Sequence, residues 1–222
     1  MNMGKPFNFI LISRSGGGKG TQAEFIKKEF SNLYHFSTGD LFRDLQEQDT
    51  DTGYRIREIL NKGGLPFDFL AITLWMHKIA YNLKRDQGLL ADGFPRRLNE
   101  AKILDEFLDF LERKENMKVI YIDISEKEAF GRLTKRRICK KCKKLVPYVL
   151  PYKNWEKCEE CGGELEQRSD DKPEAIQGRM DYFRERVLEI LDYYREQGRL
   201  IEINGEQSIE DVWRDIKKAI EK

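Results

Sequence analysis

The sequence predicts an α/β fold of three layers: one sheet of five parallel strands with helices on both faces, carrying two inserts. Three observations predict it. A short apolar run, Phe7-Asn8-Phe9-Ile10-Leu11-Ile12, stops at a glycine cluster, and a helical pattern begins at Thr21. Strand, glycine loop and helix in that order open a nucleotide-binding α/β domain. Four more short strand candidates follow, Tyr34–Ser37, Leu89–Asp92, Val119–Ile124 and Leu200–Ile203, mostly separated by helical patterns. Such alternation makes a parallel sheet buried on both sides. Finally, 222 residues are enough for one domain to bury about 70% of its unfolded surface.

Along the chain, the loop after the first strand reads Ser13-Arg14-Ser15-Gly16-Gly17-Gly18-Lys19-Gly20-Thr21. Glycines let successive backbone N–H groups turn inward around a phosphate, the next helix adds its positive end, and Lys19 supplies a cation. As a strict phosphate loop it departs twice: Ser13 replaces the first glycine, and Gly20 replaces the usual hydroxyl after the lysine. Residues 38–68 and 132–170 interrupt the strand–helix alternation and read as inserts. Pro173 suits the first turn of a helix carrying Ile176, Met180, Phe183, Val187 and Leu191. Ser208 with Asp211 marks a capped start for a helix with the stripe Ile209, Val212, Trp213, Ile216 and Ile220.

Composition removes several classes. With 40% hydrophobic and 11% aromatic residues in periodic patterns, the chain is not disordered. No apolar run approaches the ~18 residues of a membrane span, and Met1–Ser13 lacks the marks of a signal peptide. A cytoplasmic protein is expected. The 40 Lys+Arg and 39 Asp+Glu nearly cancel, but residues 132–144 hold eight basic and no acidic residues, so positive charge is concentrated in one insert.

The four cysteines, Cys139, Cys142, Cys158 and Cys161, form C-x2-C-x15-C-x2-C. Each pair can offer two thiolates from one tight turn, and two such knuckles complete a tetrahedron around zinc. Four thiolates leave no open position, so Zn2+ here is expected to be structural. Free cysteines or two disulfides are the plainer readings, and the lack of a secretory signal disfavours the disulfides.

The loop is joined by Ser37-Thr38-Gly39-Asp40-Leu41-Phe42-Arg43, Asp92-Gly93-Phe94-Pro95-Arg96, Arg132-Leu133-Thr134-Lys135-Arg136, Gln167-Arg168-Ser169-Asp170-Asp171 and Ile203-Asn204-Gly205-Glu206-Gln207, in that order. Together these resemble the adenylate kinases, P-loop NTPase-fold enzymes, in their long bacterial form with a zinc-bearing lid. The resemblance spans roughly residues 7 to 220. It implies Mg2+-dependent, reversible transfer of a phosphoryl group from ATP to AMP, giving two ADP. It implies a core of 1–37, 69–131 and 171–222, a monophosphate-binding insert at 38–68 and a lid at 132–170. A monomer without nucleic-acid or membrane partners is expected.

Carried over by position, Gly16, Gly17, Gly18, Lys19, Gly20 and Thr21 would hold the ATP phosphates, with Arg132 and the backbone of Gln207 at its adenine. Thr38, Arg43, Leu65, Gly93, Arg96 and position 100 would surround AMP. Arg96, Arg136, Arg168 and Arg179 would join Lys19 at the transferring group, and Asp92, with Asp40 near it, would orient water on Mg2+.

The family usually has glycine and proline where Ser13 and Ser15 stand, and glycine where Lys135 stands. Arg14 is expected to add charge near the phosphates. Glu100 stands where the family reads adenine with glutamine. A carboxylate only accepts hydrogen bonds, so facing a base it would suit guanine N1–H and N2–H better than adenine N1; GMP is therefore the alternative acceptor. The plainer reading is that Asn99 caps the following helix and Glu100 favours its positive end. His35 and His77 are expected to be structural, Trp75 and Trp213 to pack, and Tyr152 and Trp155 to cover the cysteine knuckles. A regulatory GTPase is excluded because Asn61-Lys62 is followed by Gly63-Gly64 and not by x-Asp. Two weaker readings are a zinc-ribbon RNA-binding module, which the basic insert suggests, and an inactive nucleotide-binding relative.

Overall fold

The structure is a computed structural model that describes residues 6–61, 64, 66–168 and 171–221. Strand β1 (Asn8–Ile12) runs through the glycine loop into helix α1 (Lys19–Glu29), followed by β2 (Leu33–Ser37). Two short helices, α2 (Thr38–Gln46) and α3 (Asp51–Asn61), pack on each other before α4 (Asp68–Asn82). Then come β3 (Gly88–Asp92), α5 (Leu98–Phe110), β4 (Met117–Asp123) and α6 (Glu126–Lys135). The cysteine insert contributes β5 (Arg137–Cys139), β6 (Leu145–Val146) and β7 (Leu165–Gln167). Helices α7 (Pro173–Tyr182) and α8 (Leu188–Glu196) flank a π turn at Phe183–Val187, and β8 (Leu200–Asn204) and α9 (Ile209–Ile220) close the chain.

The five long strands make one parallel sheet in the order β2-β3-β1-β4-β8. Every expected strand is present, with ends moved by one or two residues; Ile124 lies beyond β4. Central β1 pairs with β3 on one side and β4 on the other, with Leu11 opposite both Asp92 and Ile120. The chain leaves β1 toward β2 and β3 but leaves β3 across β1 to β4. A crevice therefore opens at the C-terminal ends of β1 and β3, where open α/β sheets bind ligands.

Alternate side chains of each strand point to opposite faces, and the core divides accordingly. Ile10, Ile12, Leu89, Ala91, Val119 and Tyr121 pack with Trp75, Leu104, Leu108 and Ile190 from α4, α5 and α8. Phe9, Leu11, Leu90, Ile120 and Ile122 pack with Ala23, Ile26, Val212 and Ile216 from α1 and α9. The α9 stripe is as the spacing predicts, with Ser208 Oγ accepting from Asp211 N–H at 3.1 Å. Trp213 lies against Phe25, with ring centroids 5.6 Å apart.

The stripe from Ile176 to Leu191 is also buried, but its helix is not uniform: the π turn places an extra residue at Phe183–Val187. Such turns occur often at functional sites. The insert holds a three-stranded antiparallel sheet, β6-β5-β7, for which strands of two or three residues leave no periodicity to read. Asn99 is not a cap. It lies inside α5, whose first flanking residue is Arg97 in extended conformation. Among the described residues, no helix is long and apolar enough to cross a membrane.

Candidate active site

The glycine loop turns on two residues with left-handed backbone, Gly16 at φ 86° and Gly18 at φ 87°, a conformation that only glycine adopts freely. Gly18 flanks α1 without a side-chain cap, so the first N–H groups of the helix stay available to an anion. Lys19 Nζ donates to Ser13 O at 3.1 Å and Arg14 O at 3.4 Å. Burial of the ammonium brings Lys19 down to about 8; Asp92 opposes this, while the charges of Arg96 and Arg136 add to it. Those four side chains thus act on one another electrostatically across the crevice.

Lys19 lines one cavity with Ser13, Ser15, Gly93, Pro95, Arg96, Arg179 and Phe183. A second cavity adjoins it, lined by Thr38, Phe42, Pro66, Asp68, Gly93, Arg96, Glu100 and Tyr182. Arg96 and Tyr182 border both. Thr38 Oγ1 donates to Gly93 O at 2.8 Å and Arg96 Nε donates to the same oxygen at 2.7 Å. This ties the start of α2 to the loop after β3. Arg43 forms an ion pair with Asp40, whose other oxygen accepts from Ser37 Oγ at 2.7 Å. Both oxygens of Asp40 are therefore engaged within α2. Leu65 lies outside the described residues.

Glu100 is 3% exposed, with both oxygens engaged: Trp75 Nε1 donates to one at 2.9 Å and Arg96 N–H to the other at 2.6 Å. Burial pushes its carboxyl upward, against the pull of those N–H groups and of the Arg96 charge. It stands in the first turn of α5, as expected, but as a buried strut of the second cavity.

Arg136 and Arg179 meet at Asp171, a residue to which the sequence reading assigns no role. The Asp171 side chain is fully buried; Arg136 grips it with Nε and Nη2, both at 2.7 Å, and Arg179 Nη2 donates to it at 2.9 Å. Asp171 N–H also donates to Arg168 O at 3.1 Å, which places the backbone of the third arginine beside the pair. Only an acid at the end of a basic motif signals this in the sequence. Arg132 donates to Glu128 at 2.7 Å and to Gly205 O at 3.0 Å, two residues before Gln207. Gln207 Nε2 is bound to Asn204 O and Asp215. The two residues assigned to adenine thus border one turn, between β8 and α9.

Arg14 corrects an expectation. Its guanidinium leaves the loop, donating to Ile124 O, Asp123 and Tyr121 Oη and lying over the Phe183 ring. Its hydrogen bonds lie at the C-terminal end of β4, not in the phosphate cradle. Ser13 Oγ is buried and lies where a Cβ on Gly17 would fall, so the loop accommodates the larger residue at 13 only because 17 is glycine.

In the insert, the sulfur atoms of Cys139, Cys142, Cys158 and Cys161 all lie within 4.8 Å of one another. A tetrahedron with Zn–S near ~2.3 Å needs sulfurs roughly 3.8 Å apart, and pairs at 3.4 and 3.6 Å are close to it. Backbone N–H bonds, chiefly from Cys142, pull the Cys139 thiol down to about 6. A Cβ on Gly163 would meet Cys139 Sγ at 2.7 Å, so glycine is needed there for the knuckles to close. The donor set fits structural zinc. Tyr152 and Trp155 pack edge to face at 5.0 Å, and Lys144 lies over the Trp155 ring. His35 is partly buried on β2, and His77 stacks on Tyr81 at 4.5 Å.

A lysine wrapped by a glycine loop at the C-terminal end of the central strand of a parallel sheet, with arginines facing it, defines a class: a P-loop phosphotransferase acting on nucleotides. The family model for adenylate kinase matches residues 11–199. The chain is 40% identical over 215 residues to the adenylate kinase of Methanocella arvoryzae, covering 96% of this chain and 98% of that one. It is 35% identical to the adenylate kinase of Archaeoglobus fulgidus, with 97% and 98% covered, and 36% identical to that of Bacillus licheniformis, with 96% and 97% covered. This chain belongs to the adenylate kinase family, whose members are nucleoside monophosphate kinases.

Proposed function

We propose that the protein transfers the γ-phosphoryl group of Mg·ATP reversibly to AMP, giving two ADP. The observation that carries this is the pair of adjoining cavities sharing Arg96, one at the glycine loop and one behind Thr38 and Gly93. A donor in the first and an acceptor in the second would meet at that arginine. The acceptor phosphate is ionised at neutral pH, so no general base is required; in-line placement and charge neutralisation suffice.

On this reading the backbone of 16–21 and Lys19 bind the ATP phosphates, and Arg132 and Gln207 border its adenine. Arg43 and Arg96 take the AMP phosphate. Arg136 and Arg179 exchange Asp171 for the migrating phosphoryl group, and Arg168 joins them there, arginine being the side chain that binds phosphate oxygens in a fork and stays charged. Mg2+ arriving with ATP neutralises phosphate charge; Asp92, a hard oxygen donor at the end of β3, would meet its water shell, with Asp40 near. Zn2+ would be held by the four cysteines to brace residues 132–170 as a lid, while 38–68 closes over the monophosphate, together excluding water. The protein acts as a cytoplasmic monomer.

The second reading, GMP as acceptor, rests on Glu100 lining the second cavity, where a carboxylate could accept from guanine but not donate to adenine N1; both its oxygens already accept from Trp75 and Arg96 N–H, so AMP stays first. Initial rates with Mg·ATP and AMP, GMP, CMP or UMP test both; AMP is expected to be fastest, and a GMP rate at least as high overturns the choice. Arg179→Met should lower kcat about 10³-fold, the usual scale for an arginine that stabilises a phosphoryl transition state. Salt-sensitive RNA binding with no kinase activity would sink the whole reading.

A further inference from the structure

We propose that Arg14 is a positioning residue for phosphoryl transfer, clamping the glycine loop onto the segment that enters α6, the helix leading to Arg136, and onto the π turn that follows α7, the helix carrying Arg179. This rests on the reading of the loop as the ATP site.

The loop needs such a clamp. It contains two left-handed glycines, Gly16 and Gly18, and serine, not proline, at position 15. Within it, one turn is closed by Gly17 N–H donating to Arg14 O at 3.1 Å, and that same carbonyl accepts from Lys19 Nζ at 3.4 Å. The backbone of Arg14 thus locates the lysine. Its side chain, 15% exposed, runs the other way. Nη1 donates to Ile124 O at 2.9 Å and Asp123 Oδ1 at 3.1 Å, with Tyr121 Oη at 3.2 Å. The guanidinium carbon stands 4.5 Å from the Phe183 ring centroid.

Both anchor points matter. Ile124 immediately precedes Ser125, whose hydroxyl caps α6, and α6 leads to Arg136. Phe183 opens the π turn one helical turn beyond Arg179 and lines the same cavity as Lys19. A single residue therefore touches the lysine through its carbonyl, the approach to α6 through Nη1, and the π turn after α7 through the face of its guanidinium. Stability alone does not explain the choice: Arg14 Nε is buried with no hydrogen-bond partner, and a buried, incompletely satisfied charge generally stabilises a fold no better than an apolar side chain of similar size.

The test is steady-state kinetics with Mg·ATP and AMP on the wild-type chain, Arg14→Met and Arg14→Lys, with thermal melts of each. Arg14→Met is expected to fold and lose kcat on the order of 10²-fold, the scale of a roughly 1 Å displacement at a reacting centre. KM for AMP should change by less than about twofold, since the second cavity does not contain Arg14. The pH midpoint of kcat/KM for ATP should also rise as the loosened loop lets water reach Lys19. Arg14→Lys keeps the charge without the planar group over Phe183 and should fall between. An Arg14→Met protein with unchanged kcat and midpoint overturns the proposal, as does a kcat loss that vanishes once activity is normalised to folded protein. If Arg14→Met does not fold, an Arg14→Lys enzyme with wild-type kcat overturns it equally. A wild-type chain without kinase activity would instead refute the reading of the site, and the clamp with it.

Discussion

In the central sheet, Phe9, Ile10, Leu89, Leu90, Val119 and Ile120 are all fully buried. In residues 136–168, among those described, the buried positions are Cys139, Val146 and Cys158. The sheet is held by apolar area removed from water on two faces, each element supported by several neighbours. The insert has strands of two or three residues and almost no interior, so its shape depends on four sulfur atoms brought together. One region can lose a methyl group and persist. The other depends on a single bonding centre, and it sits between Arg136 and Arg168.

Metal removal should separate the two most sharply. Structural zinc sites of this kind contribute an apparent ~10–16 kcal/mol in small domains. A chelator is therefore expected to abolish hydrogen-exchange protection in 136–168 while the amides of β1, β3 and β4 remain protected. An insert that stays protected without metal would erase the contrast.

A core truncation should show the reverse. Leu104 is fully buried in the cluster around Trp75, so Leu104→Ala is expected to cost about 2–5 kcal/mol. Urea unfolding should register the loss, with turnover per folded molecule nearly unchanged.

Glu100 lies where core and site meet. Its two oxygens accept from Trp75 and Arg96 N–H; an amide has only one oxygen and would point its NH2 at the other donor. Glu100→Gln is therefore expected to destabilise the protein by about 1–3 kcal/mol and to change Trp75 fluorescence, whatever it does to acceptor choice. A Gln variant as stable as wild type would mean that this strut matters little.

The smallest effect expected is a pH limb. Lys19 in the ATP-free protein titrates near 8 against an ordinary 10.5. Below that value the ammonium is charged and attracts phosphate; above it the charge is lost, so kcat/KM for ATP should fall by up to tenfold per pH unit, about 1.4 kcal/mol each. Bound phosphate restores the ammonium, so kcat should show the limb later or not at all. Lys19→Arg, which does not titrate in this range, should lack it.

Much of this was legible in the chain itself. The strands could be read because each is a run of apolar residues between breakers, the glycine loop because few other structures tolerate three successive glycines before a lysine, and the cysteine cluster because its spacing is local. What escaped was non-local. Asp171 carries no pattern of its own, and its role depends on Arg136 and Arg179 arriving from different helices. Arg14 looked like a phosphate contact from its place in the loop, yet its fork is taken by residues more than a hundred positions away. Glu100 reads as a helix-start charge, and it does stand in the first turn of α5, but its burial against Trp75 has no signal in the sequence.

The division has a physical cause. Periodicity, turn chemistry and ligand spacing act over a few residues, so sequence alone determined the sheet, the loop, the family and the cysteine cluster. Where a charged side chain points is settled by which oppositely charged or hydrogen-bonding groups the completed fold brings within about 3 Å, and only the tertiary structure decided that for Arg14, Glu100 and Asp171.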